Sequence, residues 1–374
     1  MSYGLGSLLS DCIKKYSIKE ITEGKGLSRT VIWVYLAEDI ENINFIKSNE
    51  LIITTGFFTV GSTSLYDFIS ALIDRGMSGI IINTGKYIME SDITEDIIKL
   101  CSKNDFPLYI MPWEIHITDV MQELCGHILK NSQSQSAVSD AFRNLILDSE
   151  KGEKYIYVLN EEGFYNDSQY HVINISEVYP YGKIHNILNP LNENFHIMEY
   201  KGSTLIIITD TDNIMKIANL ITEKEELKEC KTGISSGEKG FKNIAKLYRQ
   251  SADALRAAKL LEEKIAFYDN MGILSLIFAV EDKEVLKSFY IKRLKVFEEY
   301  DKIHNSNLID TLYYYLKTGG SLSETAELMF THRNTVGYRM NKIREISRNK
   351  FSIPEVRYEY LTAIYIRKAF LTEN

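Results

Sequence analysis

The stretch SLSETAELMFTHRNTVGYRMNKIREISR, Ser321 to Arg348, decides how the rest of the chain is read. Gly319-Gly320 ahead of it resists continuing a helix, and Ser321 stands three residues before Glu324, so Ser-x-x-Glu supplies a capping box for a new N-terminus. Leu322, Ala326 and Met329 share one face of the helix that follows, with Thr325 beside them. The small Ala326 lets a second helix cross closely. A turn is expected near Phe330 to His332. Beyond it Val336, Met340 and Ile343 recur at helical spacing as a buried stripe, while Arg333, Asn334, Tyr338, Arg339 and Lys342 fall elsewhere on the wheel. Between Arg333 and Lys350 six basic residues stand against one acid, Glu345. Two short helices divided in this way make a helix-turn-helix, and a basic face opposite a buried stripe suits insertion into the major groove of double-stranded DNA.

The candidate DNA-contacting set is His332, Arg333, Asn334, Thr335, Tyr338, Arg339, Lys342 and Arg344. Arg333, Asn334 and Thr335 occupy the first turn of the second helix, the part that meets base edges in this motif. Arginine can bind guanine and asparagine adenine, each through two hydrogen bonds, whereas Arg339, Lys342 and Arg344 suit phosphate. Gly337 costs about 1 kcal/mol inside a helix relative to alanine; it either admits DNA closely or is merely tolerated. The plainer alternative is a solvated basic helix in an ordinary bundle that contacts protein.

A chain of 374 residues is expected to form two or three domains, and 45% apolar with 25% charged residues is the composition of a soluble globular protein. No stretch approaches the roughly 18 apolar residues of a membrane helix. The first 30 residues carry Asp11, Glu20 and Glu23 and no long apolar run, so no secretion signal is expected and the cytoplasm is the expected place. Cys12, Cys101, Cys125 and Cys230 lie far apart with no Cys-x-x-Cys spacing, as reduced hydrophobic residues would. The net charge of −8 divides unevenly. From Asn305 onward there are 10 Lys/Arg and 7 Asp/Glu; the acidic excess lies in residues 1–304. An acidic body with a small basic tail domain keeps the body off a phosphate backbone.

From the N-terminus the pattern alternates strand and helix. A helix is expected over Leu5–Tyr16. Short β-rich runs follow at Val31–Leu36, Leu51–Thr55, Gly79–Asn83 and Leu108–Met111, with helical stretches near Ser64–Arg75 and Ile93–Lys103. Continuous apolar runs separated by helices imply a parallel sheet covered on both faces, with ligands beyond the carboxyl ends of its strands. Those ends carry Thr54-Thr55-Gly56, Asn83-Thr84-Gly85-Lys86-Tyr87 and Pro112-Trp113-Glu114. Thr54, Thr55, Gly56, Asn83, Gly85, Lys86, Tyr87 and Trp113 are therefore candidates to hold a small, planar, polar or anionic metabolite. The alternative is that the threonines and glycines cap strands and turns while Trp113 fills the core.

Residues 115–150 read as one long helix or two in tandem, interrupted or not by the polar run Ser132–Ser136. An apolar stripe on such a helix serves packing within the chain or a dimer seam. The middle region, about 151–280, has strands at Tyr170–Ile175, Phe195–Glu199, Leu205–Thr209, Lys231–Ser235 and Ile265–Tyr268, with helices at 214–226 and Phe241–Leu261. Glu177–Glu193, rich in Tyr, Asn and Pro, is expected to be irregular. A charged helix in 281–307 leads to Leu308–Thr318, whose Tyr313-Tyr314-Tyr315 should pack under the two reading helices. A last helix starts at Ser352-x-Pro354-Glu355. The fold class expected is α/β multidomain. It comprises an N-terminal parallel α/β sheet domain (1–130), a connecting helix (131–150), a middle α/β domain (151–280), a linker helix (281–304) and a C-terminal all-α helix-turn-helix domain (305–374).

The whole chain resembles the PucR-type (purine catabolism regulator) transcription factors. GGSLSETAELMFTHRNTVGYRMNKI is similar to the family's terminal helix-turn-helix; LIITTGFF, GIIINTGKYI and FPLYIMPWEI resemble its N-terminal sensing domain. GISSGEKGFKNIAKLYRQSADALRAAK with IAFYDNMG resembles its cyclase-like middle domain. The resemblance implies an effector-responsive regulator that binds DNA, often as a dimer or larger assembly, with purine-related metabolites as the expected effectors. Diguanylate-type cyclases carry Gly-Gly-(Asp or Glu)-Glu-Phe at a hairpin where this chain has Lys201-Gly202-Ser203-Thr204-Leu205. No carboxylate stands there to hold magnesium, so the middle domain reads as a degenerate cyclase and not an enzyme. No cofactor or metal is expected. Gly337 departs from the family, whose members often carry a larger residue there, so the base preference does not carry over. The rival reading is a metabolite-binding enzyme or adaptor whose C-terminal helices contact protein.

Overall fold

The structure is a computed structural model that describes residues 3–41, 46–61, 63–148, 154–188, 191, 193–224, 227 and 229–372. These fall into two compact units. The first comprises Met1–His171, Glu177–Leu227 and Gly237–Lys246; the second comprises Val172–Ser176, Lys228–Ser236 and Leu247–Asn374.

The first unit opens with β1 (Tyr3–Gly4), α1 (Leu5–Lys15), β2 (Lys19–Glu20), β3 (Thr30–Val31) and β4 (Trp33–Leu36). It continues through β5 (Glu50–Thr54), α2 (Leu65–Asp74), β6 (Gly79–Thr84), α3 (Glu95–Lys103) and β7 (Leu108–Pro112). β1 pairs antiparallel with β3. The main sheet has the order β2-β7-β6-β5-β4. Strands β4 to β7 are parallel, in a register that sets Leu51 beside Gly79 and Ile80 beside Leu108. The short β2, which the sequence pattern did not suggest, adds an antiparallel edge through Lys19 and Ile110. Alternation within the apolar runs explains why both faces are covered. Ile52, Ile80 and Ile82 pack with Phe68, Ile69 and Leu72 of α2 and with Ile97 and Cys101 of α3. Leu51, Ile53 and Ile81 point the other way, into Leu5, Leu8 and Leu9 of α1 and into Val120 and Leu124 of the next helix.

That helix, α4, runs unbroken from Ile117 to Leu147. The polar run Ser132–Ser136 thus lies inside a single helix. Beyond it Val138, Ala141, Phe142 and Leu145 are again buried. On this stretch Ser139 Oγ lies 2.8 Å from Nε2 of His196, and His196 packs beside Phe142 and Phe164. The unit also holds α5 (Ile156–Glu161), the first residues of β8 (Gln169–Ile175), α6 (Tyr181–Leu188), β9 (Asn194–Tyr200), β10 (Ser203–Thr209), α7 (Ile214–Glu223) and β12 (Glu238–Lys239). β9 and β10 form the expected antiparallel hairpin, turning at Lys201 and Gly202. α6 corrects the expectation that Glu177–Glu193 is irregular. Pro180 stands just ahead of its first residue, and Ile184 and Leu188, four apart, bury one face. Residues 189, 190 and 192 of that segment, and 225 and 226 of the helix expected over 214–226, lie outside the described residues.

In the second unit β11 (Thr232–Ile234) pairs antiparallel with β8 and parallel with β13 (Ile265–Phe267). α8 (Ile244–Leu261) crosses β11 so closely that a β-carbon at Gly233 would lie 2.1 Å from the Leu255 nitrogen and 2.2 Å from the Ser251 carbonyl. Only glycine fits there. α9 (Ile273–Ala279) and α10 (Lys283–His304) lead to the terminal bundle: α11 (Leu308–Lys317), α12 (Leu322–Leu328), α13 (Arg333–Ser347) and α14 (Pro354–Thr372). Leu294 and Phe297 of α10 join Leu312, Leu316, Ala326, Val336, Met340, Ile343, Ala363 and Ile364 in one core. Two ion pairs, Arg293 with Glu359 and Arg367 with Glu298, tie α10 to α14. Asp301 ends the turn into α11 by accepting from Leu308 N at 2.7 Å, Ile309 N at 3.1 Å and Ser306 Oγ at 2.6 Å, which satisfies donors a helix start leaves unpaired.

Burial, helped by Arg143, depresses the His196 pKa from 6.5 to about 3, so the folded state keeps the ring neutral. The unfolded chain takes up a proton that the folded chain refuses, so this group's stability is present above about pH 6.5 and is lost as pH falls toward 3. Between pH 7 and 5.5 the wild type should lose about 1 kcal/mol more than His196→Asn in urea unfolding. Identical losses in the two proteins would contradict the neutral buried ring.

Candidate nucleic-acid interface and effector site

Ser321 caps α12, its Oγ accepting from Glu324 N at 3.3 Å, but its own N–H donates to the Thr318 carbonyl at 3.3 Å and not to the Glu324 carboxylate, so only half of the expected capping box forms. Thr325 and Ala326 are buried, and Thr325 Oγ1 meets Thr318 Oγ1 at 2.9 Å, which pins α12 to the end of α11. The turn follows at Phe330, which has φ 49° and is 99% exposed. His332 then caps α13, its Nδ1 accepting from Asn334 N at 3.2 Å. Val336, Met340 and Ile343 are fully buried. Their burial turns the opposite side of α13 to solvent: Arg333, Asn334 and Tyr338 are exposed, and Thr335 is half-buried. At Gly337 a β-carbon would meet nothing within 4 Å, so the ridge has an open notch midway along.

The basic residues flank this ridge on two sides. Arg344, exposed, donates to Asn341 Oδ1 at 2.9 Å and to the Tyr315 hydroxyl at 3.4 Å. On the other flank Lys342 pairs with Glu345 at 3.0 Å, and its ammonium stands 5.5 Å from the Tyr300 ring. Arg339 is half-buried, with Nη1 3.5 Å from Thr311 Oγ1. All eight residues singled out from the sequence thus lie on or beside one helix; its exposed face is made by the first turn and Tyr338.

The strand-end residues separate into two roles. Thr54 and Asn83 are buried, and their polar groups are engaged within the fold: Thr54 Oγ1 donates to Glu38 Oε2 at 3.3 Å and accepts from Gly56 N at 3.0 Å, and Asn83 Nδ2 donates to the Pro112 carbonyl at 2.7 Å. Glu38, which sequence reasoning missed, is the clip of this loop: it also accepts from Thr55 N at 2.6 Å and Phe57 N at 3.0 Å. Nothing in its local sequence marks it, because its partners lie 16 to 19 residues away. Gly56 has φ 82°, and a β-carbon there would lie 2.3 Å from Ile88 Cδ1. The clip presents Phe57, also unforeseen, toward Tyr87, with ring centroids 5.4 Å apart; Tyr87 meets Trp113 at 5.9 Å, both pairs nearly perpendicular. Lys86 Nζ sits 4.9 Å from the Tyr87 ring and 4.8 Å from that of Trp113. Gly85 lies against Trp113 and borders a cleft of about 320 Å³ shared with Lys19, Thr84, Glu90 and Glu114.

Comparison with known proteins bears on both ends of the chain. Residues 10–128 match the purine catabolism regulatory protein-like family, and residues 308–366 match the PucR C-terminal helix-turn-helix domain. Three proteins of Bacillus subtilis (strain 168) are similar to the chain. The DNA-binding transcriptional activator AdeR is 22% identical over 28% of this chain and 25% of its own length. The proline-responsive transcriptional activator PutR is 26% identical over 31% and 29%. The purine catabolism regulatory protein is 29% identical over 30% and 22%. The matched stretches therefore span between 22% and 29% of these relatives' lengths. The structure of the regulator of polyketide synthase expression from Bifidobacterium adolescentis matches with 18% identity and a TM-score of 0.33, over 63% of this chain and 92% of that one. The stretch matched at 10–128 contains the aromatic and lysine cluster, and the stretch matched at 308–366 contains the ridge of α13.

Glu38→Ala should release the Thr54–Phe57 loop and cost about 2 to 3 kcal/mol, the scale of losing charge-assisted hydrogen bonds. Urea unfolding of the full chain measures it; an unchanged midpoint would deny the clip its role.

Proposed function

We propose that the chain is an effector-responsive, DNA-binding regulator of transcription, acting in the cytoplasm on double-stranded DNA as a homo-oligomer. The observation that carries this reading is the exposed first turn of α13, where Arg333 and Asn334 face solvent above a fully buried stripe. Arginine and asparagine there can read guanine and adenine edges, while Lys342 and Arg344 on the two flanks suit the phosphate rows that border a major groove. The PucR helix-turn-helix match over residues 308–366 supports the same assignment.

In this reading residues 1–130 sense a small molecule, 131–150 and the middle domain of 151–280 relay the signal, and 305–374 bind DNA. Lys86, Tyr87 and Trp113, with Phe57, form the sensing surface, and a planar anion such as a purine-related metabolite suits a lysine among aromatic rings. The middle domain serves as a relay and not as a cyclase, since its hairpin turn Lys201-Gly202-Ser203-Thr204-Leu205 offers no carboxylate. An effector changes DNA binding only as far as it prefers one domain arrangement over another.

Arg333→Ala should cost roughly 1 to 3 kcal/mol on an operator and relax specificity, while Lys342→Ala weakens all DNA alike and lowers the salt slope by about one. Titrations of the full chain against selected and random duplexes distinguish these. Equal losses on both DNAs for Arg333→Ala would remove it from base reading, and binding without salt dependence would favour an adaptor whose last helices contact protein. For the sensor, a thermal-shift screen of the full chain against purines, ureides and small carboxylates should find a stabilising ligand. At about 100 times its dissociation constant it adds roughly 2.7 kcal/mol. Lys86→Ala should abolish that shift; an undiminished shift would move the effector elsewhere.

A further inference from the structure

Beside α13, at the Gly319-Gly320 turn, Arg344 is joined by two polar groups that no motif foretold. A β-carbon at Gly320 would lie 3.3 Å from the Tyr315 hydroxyl and 3.7 Å from Arg357 Nη2, and one at Gly319 would lie 4.0 Å from the same Nη2. Arg344 Nη2 reaches the Tyr315 hydroxyl at 3.4 Å, its guanidinium 6.0 Å from the ring centroid. Arg357 of α14 and the Tyr315 hydroxyl of α11 therefore meet at a turn that has no side chains of its own, and Arg344 of α13 joins them through that hydroxyl. Arg357 is half-buried along a cleft of about 270 Å³ with Leu316, Pro354, Tyr358 and Leu361. Among the described residues its guanidinium makes no hydrogen bond or ion pair, whereas Arg293 and Arg367 between α10 and α14 are paired with carboxylates.

We propose that Arg357, Arg344 and the Tyr315 hydroxyl form a clamp for one phosphate of the DNA backbone on the α12 side of α13. The clamp rests on the DNA-binding reading and extends it to a helix outside the reading pair. Its logic is geometric. Arg344 and Lys342 stand two residues apart on α13, about 200° around the axis, so they flank the ridge of Asn334 and Tyr338 on opposite sides. A helix lying in a major groove has a phosphate row along each side. Lys342 serves one row as a single point charge, and the other row meets Arg344 together with Arg357, brought in by α14. The absence of side chains at Gly319 and Gly320 lets Tyr315 and Arg357 stand directly against the turn, Tyr315 orients Arg344, and the packed stem of Arg357 limits the rotamer freedom lost on binding.

The test uses the full chain and a fluorescein-labelled random-sequence duplex, with anisotropy titrations from 50 to 200 mM salt. Arg357→Ala should make the slope of log affinity against log salt shallower by about 0.9, the value of one lost phosphate contact on duplex DNA. Arg357→Lys should keep the slope but bind more weakly, because an ammonium cannot donate as a fork. Circular dichroism and urea unfolding of both variants establish that they fold. If the wild type binds the duplex with a salt-dependent slope and folded Arg357→Ala keeps that slope, the clamp is overturned while the DNA-binding reading stands. If the wild type shows no salt-dependent binding, the DNA-binding reading itself fails and the clamp with it.

Discussion

The burial of Val336, Met340 and Ile343 against α11 and α12 is the constraint on which the C-terminal unit depends. Each fully buried aliphatic side chain of this kind contributes about 1.5 to 3 kcal/mol, and the three together leave α13 one rotational setting. That setting places Arg333 and Asn334 in solvent, Lys342 beside Tyr300 and Arg344 beside Tyr315. A rotation of α13 by one residue would bury a guanidinium and expose a methionine. The small Ala326 and the Thr318–Thr325 hydroxyl pair keep α12 close enough for this packing.

In the N-terminal sheet the equivalent constraint is double-sided burial. Because Ile52, Ile80 and Ile82 serve one core and Leu51, Ile53 and Ile81 the other, no strand can slip by one residue without exchanging its faces. A sheet held in register delivers its strand ends to one rim, where Glu38 gathers the backbone of Thr55 and Phe57, and Asn83 ties β6 to the end of β7. The exposed Lys86 and Phe57 and the half-buried Tyr87 and Trp113 stand on that rim. Side chains at the rim surface are thereby separated from those that only shape the loops.

Much of this was legible in the chain. The apolar runs at Leu51 and Ile80 gave the parallel strands because buried strands need continuous apolar residues, and Ser321 with Glu324 gave the start of α12 because a helix start leaves donors unpaired. Glu177–Glu193 was misjudged: turn-forming residues outnumbered the two positions, Ile184 and Leu188, that hold α6, and these gain helical meaning only once a sheet is there to cover. The exposed aromatic at Phe330 was equally hidden, since a positive φ at a bulky residue follows from how two helices meet and not from local preference.

Periodicity, capping pairs and charge distribution are properties of neighbours along the chain, so the sequence by itself determined the helices, the strand runs, the basic C-terminal stretch and the residues of α13 that stay off its buried stripe. Contacts across long separations belong to the tertiary structure alone. It decided that Glu38 serves Thr54 and Phe57, that Thr54 and Asn83 turn inward while Lys86 and Trp113 stay at the rim, and that Arg357 joins Arg344 at a glycine turn. The physical reason is that a polar side chain's role depends on which partners reach it, and those partners are assembled only when the apolar faces are buried.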